Sequence, residues 1–188
     1  MKIRTKLLLL VIVPIFAICI EGVLQCKNSY NKMTQGQLLL QSSEIAGQIS
    51  NLVHELQKER GRTAGFLGSQ GKKFSSELQT QRKSTDEKFA TLTTALKSYP
   101  KDKVSKRIQN RLDIAIRNSE QLAQVRNQVS AQNINAPTAI GYYTDLNSDM
   151  LSIVQSMSDQ STNARITSEL AANLYLQKTK ENAGIERA

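Results

Sequence analysis

The chain of 188 residues carries a net charge of +9, with 25 Lys and Arg against 16 Asp and Glu, no tryptophan, three prolines and two cysteines. That length suffices for one domain with a real core plus a membrane segment, and argues against two folded domains. The composition is that of a helical bundle, and its cations are scattered among Glu, Gln and Asp without a basic block, aromatic platform or zinc signature, which speaks against a nucleic-acid partner and for a solvated basic surface that concentrates small anions.

In chain order, Lys2, Arg4 and Lys6 precede an unbroken apolar run from Leu7 to Ile20 that continues through Glu21 to Leu24. Phe16-Ala17-Ile18-Cys19 lacks the small residue that a lipoprotein cleavage site needs, so residues 1–26 read as a cytoplasmic N-terminus and an uncleaved anchor. With the cations held inside, roughly residues 7–25 would cross the bacterial inner (cytoplasmic) membrane once and place residues 27–188 in the periplasm. Cys19 and Cys26 would stand roughly 10 Å apart along one helix, too far for an intrachain disulfide. Neither lies in a metal-binding spacing, so no metal and no cofactor is expected.

No breaker follows Gln25 until Gly68-Ser69-Gln70-Gly71, which predicts that the first helix continues from the anchor to near Leu67. A second helix is predicted from Lys72 to Ser98, closed by Tyr99-Pro100, and a third from Lys103 to Ala131. Asn133 to Pro137 form the next turn, with Pro137 in the first turn of a fourth helix that holds Tyr142, Tyr143, Leu146, Met150 and Met157. Ser158 to Thr162 offer a break, after which Ile166, Leu170 and Leu174 open a last helix with no stop signal. No strand is predicted. The expected fold class is therefore all-α: an N-terminal transmembrane helix continuing into an antiparallel bundle of about four to five helices.

Two Glu-Arg dipeptides stand out against this pattern. Along the first helix Ile45, Ile49, Leu52, Leu56, Thr63 and Phe66 share one face, and the place that this spacing reserves between Leu56 and Thr63 is held by Glu59, with Arg60 beside it. The second pair, Glu186-Arg187, follows Gly184 in the last helix. A guanidinium facing a helix interface is costly unless an anion satisfies its donors, so both placements suggest an anion site. Gly61, Gly65 and Gly184 are expected to let a facing helix approach closely. The plainer alternatives are ordinary surface pairs, Glu55 with Lys58 and Glu59 with Arg62, and a terminal cation at Arg187. His54 is the only histidine and reads as a helix-surface residue. No nucleophile has a base and Gly65 to Gly71 lack a phosphate-loop ending, so no catalytic residue and no enzyme activity is expected.

The segments Leu56-Gln57-Lys58-Glu59-Arg60-Gly61-Arg62-Thr63-Ala64-Gly65-Phe66, Gln81 to Asp86, Gly141-Tyr142-Tyr143-Thr144 and Lys180 to Ala188 together resemble the nitrate- and nitrite-sensing (NIT) domain, over residues 45 to 188. The resemblance implies an all-helical input domain of bacterial antiterminators, chemoreceptors or histidine kinases, with the C-terminal part of the domain missing. It implies that Arg60 and Arg187 bind nitrate or nitrite between long helices; because a carboxylate repels an anion, Glu59 and Glu186 are expected to orient these arginines, with Gly61, Arg62 and Gly184 in support. It implies a homodimer, to which the long three-four stripe adds. The expected function is thus a membrane-anchored periplasmic sensor that passes occupancy through the membrane helix, as in chemotaxis receptors. The alternative is a helical ectodomain for a partner protein or another ligand.

Overall fold

The structure, a computed structural model, describes residues 3–161 and 164–186. Among these there are six α-helices and no strand: α1 (Ile3–Gly68), α2 (Ser75–Ser98), α3 (Lys106–Ser119), α4 (Leu122–Ser130), α5 (Ala136–Gln160) and α6 (Ala164–Glu186). Contacts divide the chain into two units, Met1–Leu40 and Gln41–Ala188.

In the first unit Ile12, Phe16, Ile18, Val23 and Leu24 are exposed, and Leu38 and Leu39 are half-buried. The expected transmembrane helix is corrected here. Among the described residues no helix is long and apolar enough to cross a membrane. In the sequence the unbroken apolar run from Leu7 to Ile20 is 14 residues long and is followed by Glu21, short of the roughly 20 apolar residues that a bilayer core requires.

In the second unit the predicted stripe of α1 is the centre of the core. Ile49, Leu52 and Leu56 are fully buried, and so is Glu59, at 0% exposure, in the slot that the spacing assigns to it. α5 packs on α3, α4 and α6, bringing Ala139, Tyr143, Leu146, Met150, Ile153, Val154 and Met157 inward. α6 contributes Leu170, Leu174, Gln177 and Glu181, again an apolar stripe that ends on an acid. A buried hydrogen bond of 2.8 Å joins the Ser42 and Tyr99 hydroxyls, and burial pushes the Tyr99 phenol above its ordinary value.

The helix ends follow local chemistry. Asn135 caps α5 by accepting from the Thr138 amide at 2.8 Å, and Pro137 sits in the first turn. After α1, Gln70 and Gly71 take positive φ, and the Gly71 amide donates to the Phe66 carbonyl at 2.9 Å, a left-handed helix stop. At Gly71 a Cβ would also collide with the Gln132 side chain. Gly71→Ala is therefore expected to cost about 1–2 kcal/mol in a denaturant titration.

One predicted helix is divided. The third, expected from Lys103 to Ala131, is two helices parted at Glu120 and Gln121. The Ser119 hydroxyl donates to the Ile116 carbonyl at 2.6 Å and the Glu120 amide turns to Arg117, three residues back, so the α-helical ladder is interrupted.

Candidate functional site

Arg60 is 2% exposed, at the level in the second unit where α1, α5 and α6 meet. Its Nη1 donates to the Thr144 hydroxyl of α5 at 2.9 Å and to Oε1 of Glu181 in α6. The other oxygen of that carboxylate accepts from Gln57 Nε2 at 2.9 Å and from Asn147 Nδ2 at 3.1 Å. Three nitrogen donors from two helices thus converge on one carboxylate that comes from a third. Such charge-assisted bonds are among the stronger ones available inside a protein.

Gly184 lies one turn beyond Glu181 and faces the same guanidinium: a Cβ built there would stand 2.5 Å from Arg60 Nη2. Gly184→Ala adds helix propensity, roughly 0.5–1 kcal/mol, while it forces Arg60 aside. The two effects oppose each other, and the expected outcome in thermal denaturation is a melting temperature within a few degrees of the parent's. Gly61 behaves otherwise. It is exposed and a Cβ there would meet nothing within 4 Å, so the close approach expected of it is not made, whereas at Gly65, also expected, a Cβ would stand 2.8 Å from the Phe74 ring.

Glu59 turns away from this cluster into a second one. Its carboxylate accepts from Arg126 Nε at 2.7 Å and Nη2 at 2.8 Å, a bidentate pair, and from the Tyr143 hydroxyl at 2.8 Å. Arg82 Nε stands 4.0 Å from it, and Arg126 Nη1 also donates to Asp86 at 2.6 Å. Burial works against the charge of Arg126, but the bonds to Glu59 and Asp86 outweigh it and raise its pKa. Arg82 lacks that compensation, and burial lowers its pKa. Burial and the neighbouring Glu59 carboxylate push the Tyr143 phenol well above its ordinary value, so it stays a neutral donor.

The supporting residues named from the sequence are therefore distributed rather than gathered. Arg62 donates to Gln81 and does not pair with Glu59, whereas Glu55 and Lys58 do form a pair, at 2.8 Å. Glu186 is exposed, and Arg187 lies outside the described residues. Sequence reasoning missed the roles of Glu181, Asn147, Gln57 and Arg126. The signal for Glu181 was present: it continues the spacing of Leu170, Leu174 and Gln177, as Glu59 continues that of Leu52 and Leu56.

Two concavities of the second unit differ in their lining. An apolar cavity of about 230 Å³ is lined by Ile49, Leu92, Leu112, Met150 and Ile153, with Lys97 and Lys101 its only charged residues; an inorganic anion there would lose its hydration without convergent donors in return. A groove of about 410 Å³ between α3, α5 and α6 instead carries Arg107, Arg111 and Lys178, and reaches Thr144 and Glu181.

The sequence profile of the NIT family, described as nitrate and nitrite sensing, matches residues 51–188. The chain is 33% identical over 150 residues to a nitrate regulatory protein of Klebsiella oxytoca, over 80% of this chain and 38% of that protein. Its fold matches the structure of the NasR transcription antiterminator with a TM-score of 0.79 at 30% identity, over 88% of this chain and 46% of that one. The chain spans less than half the length of either relative. Both are named for regulation or antitermination. Neither name supports the chemotaxis receptor expected from the sequence, and the placement of the sensor in the periplasm on an inner-membrane anchor is overturned together with the transmembrane helix.

Proposed function

This chain belongs to the NIT family, and from that premise we propose that residues 41–188 recognise nitrate or nitrite at Arg60 and report its presence by a shift between helices, without chemical conversion of the anion. The observation that carries this reading is a guanidinium only 2% exposed, held by acceptors from α5 and α6, both of which line a groove with three cations. A planar guanidinium suits a planar monoanion because its parallel N–H bonds match two oxygens of one edge. Arg187, from the second Glu-Arg pair, is proposed as the other arm of the clamp.

Since Arg60 belongs to α1 and Glu181 to α6, an anion that changes their bond has different affinities for two arrangements of these helices, which is the requirement for a ligand to shift a population. The names of the two relatives suggest that this input serves a nitrate-responsive regulator. The binding unit itself is assigned an inorganic anion and not nucleic acid, because its cations are dispersed along the chain. A homodimer belongs to the same reading and is checked by sedimentation equilibrium.

The deciding experiment is a calorimetric titration of the chain with nitrate, nitrite, chloride and sulfate. Saturable binding of nitrate or nitrite, with chloride and sulfate weaker and Arg187→Ala impaired, is the expected result. Absence of binding by every oxyanion in a folded sample would refute anion sensing by this chain and leave the partner-binding alternative.

A further inference from the structure

The carboxylate of Glu181 occupies the place beside Arg60 that the proposed anion would take. It is planar, presents two oxygens along one edge, and uses both: Oε1 for Arg60, Oε2 for Gln57 at 2.9 Å and Asn147 at 3.1 Å. These are the bonds that nitrate would require from the same donors. Arg60 is 2% exposed and Glu181 7% exposed, so an anion arriving from solvent meets the guanidinium with its charge already neutralised.

We propose that Glu181 is a built-in competitor for the anion site, one that nitrate or nitrite displaces into the adjoining groove, so that ligand affinity is set by an exchange of one anion for another. This rests on the assignment of anion binding to Arg60. The groove supports the exchange because Glu181 lines it together with Arg107, Arg111 and Lys178. Arg111 and Lys178 are exposed, so a released carboxylate moves to cations in a wetter setting and is not stranded in the core. The exchange keeps Arg60 paired in both states, and an unpaired buried guanidinium never has to form. It also supplies the movement that sensing needs: α6 is tied to α1 through Glu181 without ligand, and that tie is lost with it.

The test is nitrate calorimetry on the parent, Glu181→Gln, Arg60→Ala and the double variant, with Glu87→Gln, an exposed acid on α2, as the control for net charge. Glutamine keeps the shape and removes the competing charge, so Glu181→Gln is expected to bind nitrate about 10- to 100-fold more tightly than the parent. The gain disappears in the double variant, and Glu87→Gln matches the parent. Should the glutamine variant not fold, Glu181→Asp withdraws the carboxylate by one methylene at constant charge and is expected to bind several-fold more tightly. If the parent binds nitrate and Arg60→Ala does not, while the Glu181 variants bind equally or more weakly, the competitor is overturned and the site stands. If no folded variant binds nitrate, the site assignment fails and the competitor with it.

Discussion

Arg60→Ala is expected to abolish most of the response to nitrate while the chain remains helical. One charge-assisted guanidinium bond contributes roughly 1.5–3 kcal/mol net, so the affinity should fall by about one to two orders of magnitude. The structure adds a cost in stability that the sequence did not suggest. Arg60 is matched by Glu181, and its removal leaves that carboxylate with Gln57 and Asn147 alone. The expected loss is about 1–3 kcal/mol, at the lower end because Glu181 borders the groove and can rehydrate. Arg60→Lys separates charge from geometry: a point charge keeps some attraction, but it loses the two parallel donors and with them the preference for nitrate over chloride. Wild-type nitrate affinity in a folded Arg60→Ala sample would place the anion elsewhere, and the Arg82–Arg126 pair would be the next place to look.

Much of this was legible because helix periodicity is a strong signal. The spacing of Ile45, Ile49, Leu52 and Leu56 reserved a buried position for Glu59, and the structure buries it completely. The turn at Pro137 and the stop before Gly71 followed from backbone chemistry that acts over a few residues. Partner choice did not follow. Glu59 is spaced for a surface pair with Arg62, yet it bonds to Arg126, 67 residues away, because both are carried into the interior by apolar neighbours. Arg126 adjoins Val125, a buried position of α4, and that adjacency was the available hint. The division of the third helix lies in the Glu120 and Gln121 amides, which bond three residues back, a local choice that periodicity does not record. Nor does composition tell which of two acids in the second motif faces inward: Glu181 continues the stripe of α6, while Glu186 is exposed.

The largest loss of stability is expected from Glu59→Ala. Glu59 is wholly buried and neutralises Arg126 through two bonds, with Tyr143 as a third donor and Arg82 at 4.0 Å. Its removal strands the buried Tyr143 phenol and leaves the half-buried Arg126 with Asp86 as its one carboxylate partner, and breaking a pair of this kind costs about 3–5 kcal/mol. Arg82 aggravates the loss, because its Nε has no hydrogen-bond partner even with Glu59 present. Glu59→Gln, which keeps an acceptor for one donor, should cost less. The network's purpose is tested by replacing its buried pair. In Glu59→Leu with Arg126→Met and Tyr143→Phe, the bidentate pair and the hydroxyl leave together while Arg82 keeps its bonds to Ser130 and to the main-chain carbonyl of residue 126, and a buried pair exchanged for apolar groups of similar volume is often neutral or stabilising. Urea denaturation should therefore rank the single Glu59→Ala variant below the triple variant. If the triple variant also binds nitrate like the parent, the Glu59 cluster serves the fold alone. If it is stable but does not bind, the first Glu-Arg dipeptide serves the anion with both of its residues, Arg60 by holding the ligand and Glu59 by fixing the face of α1 from which Arg60 projects.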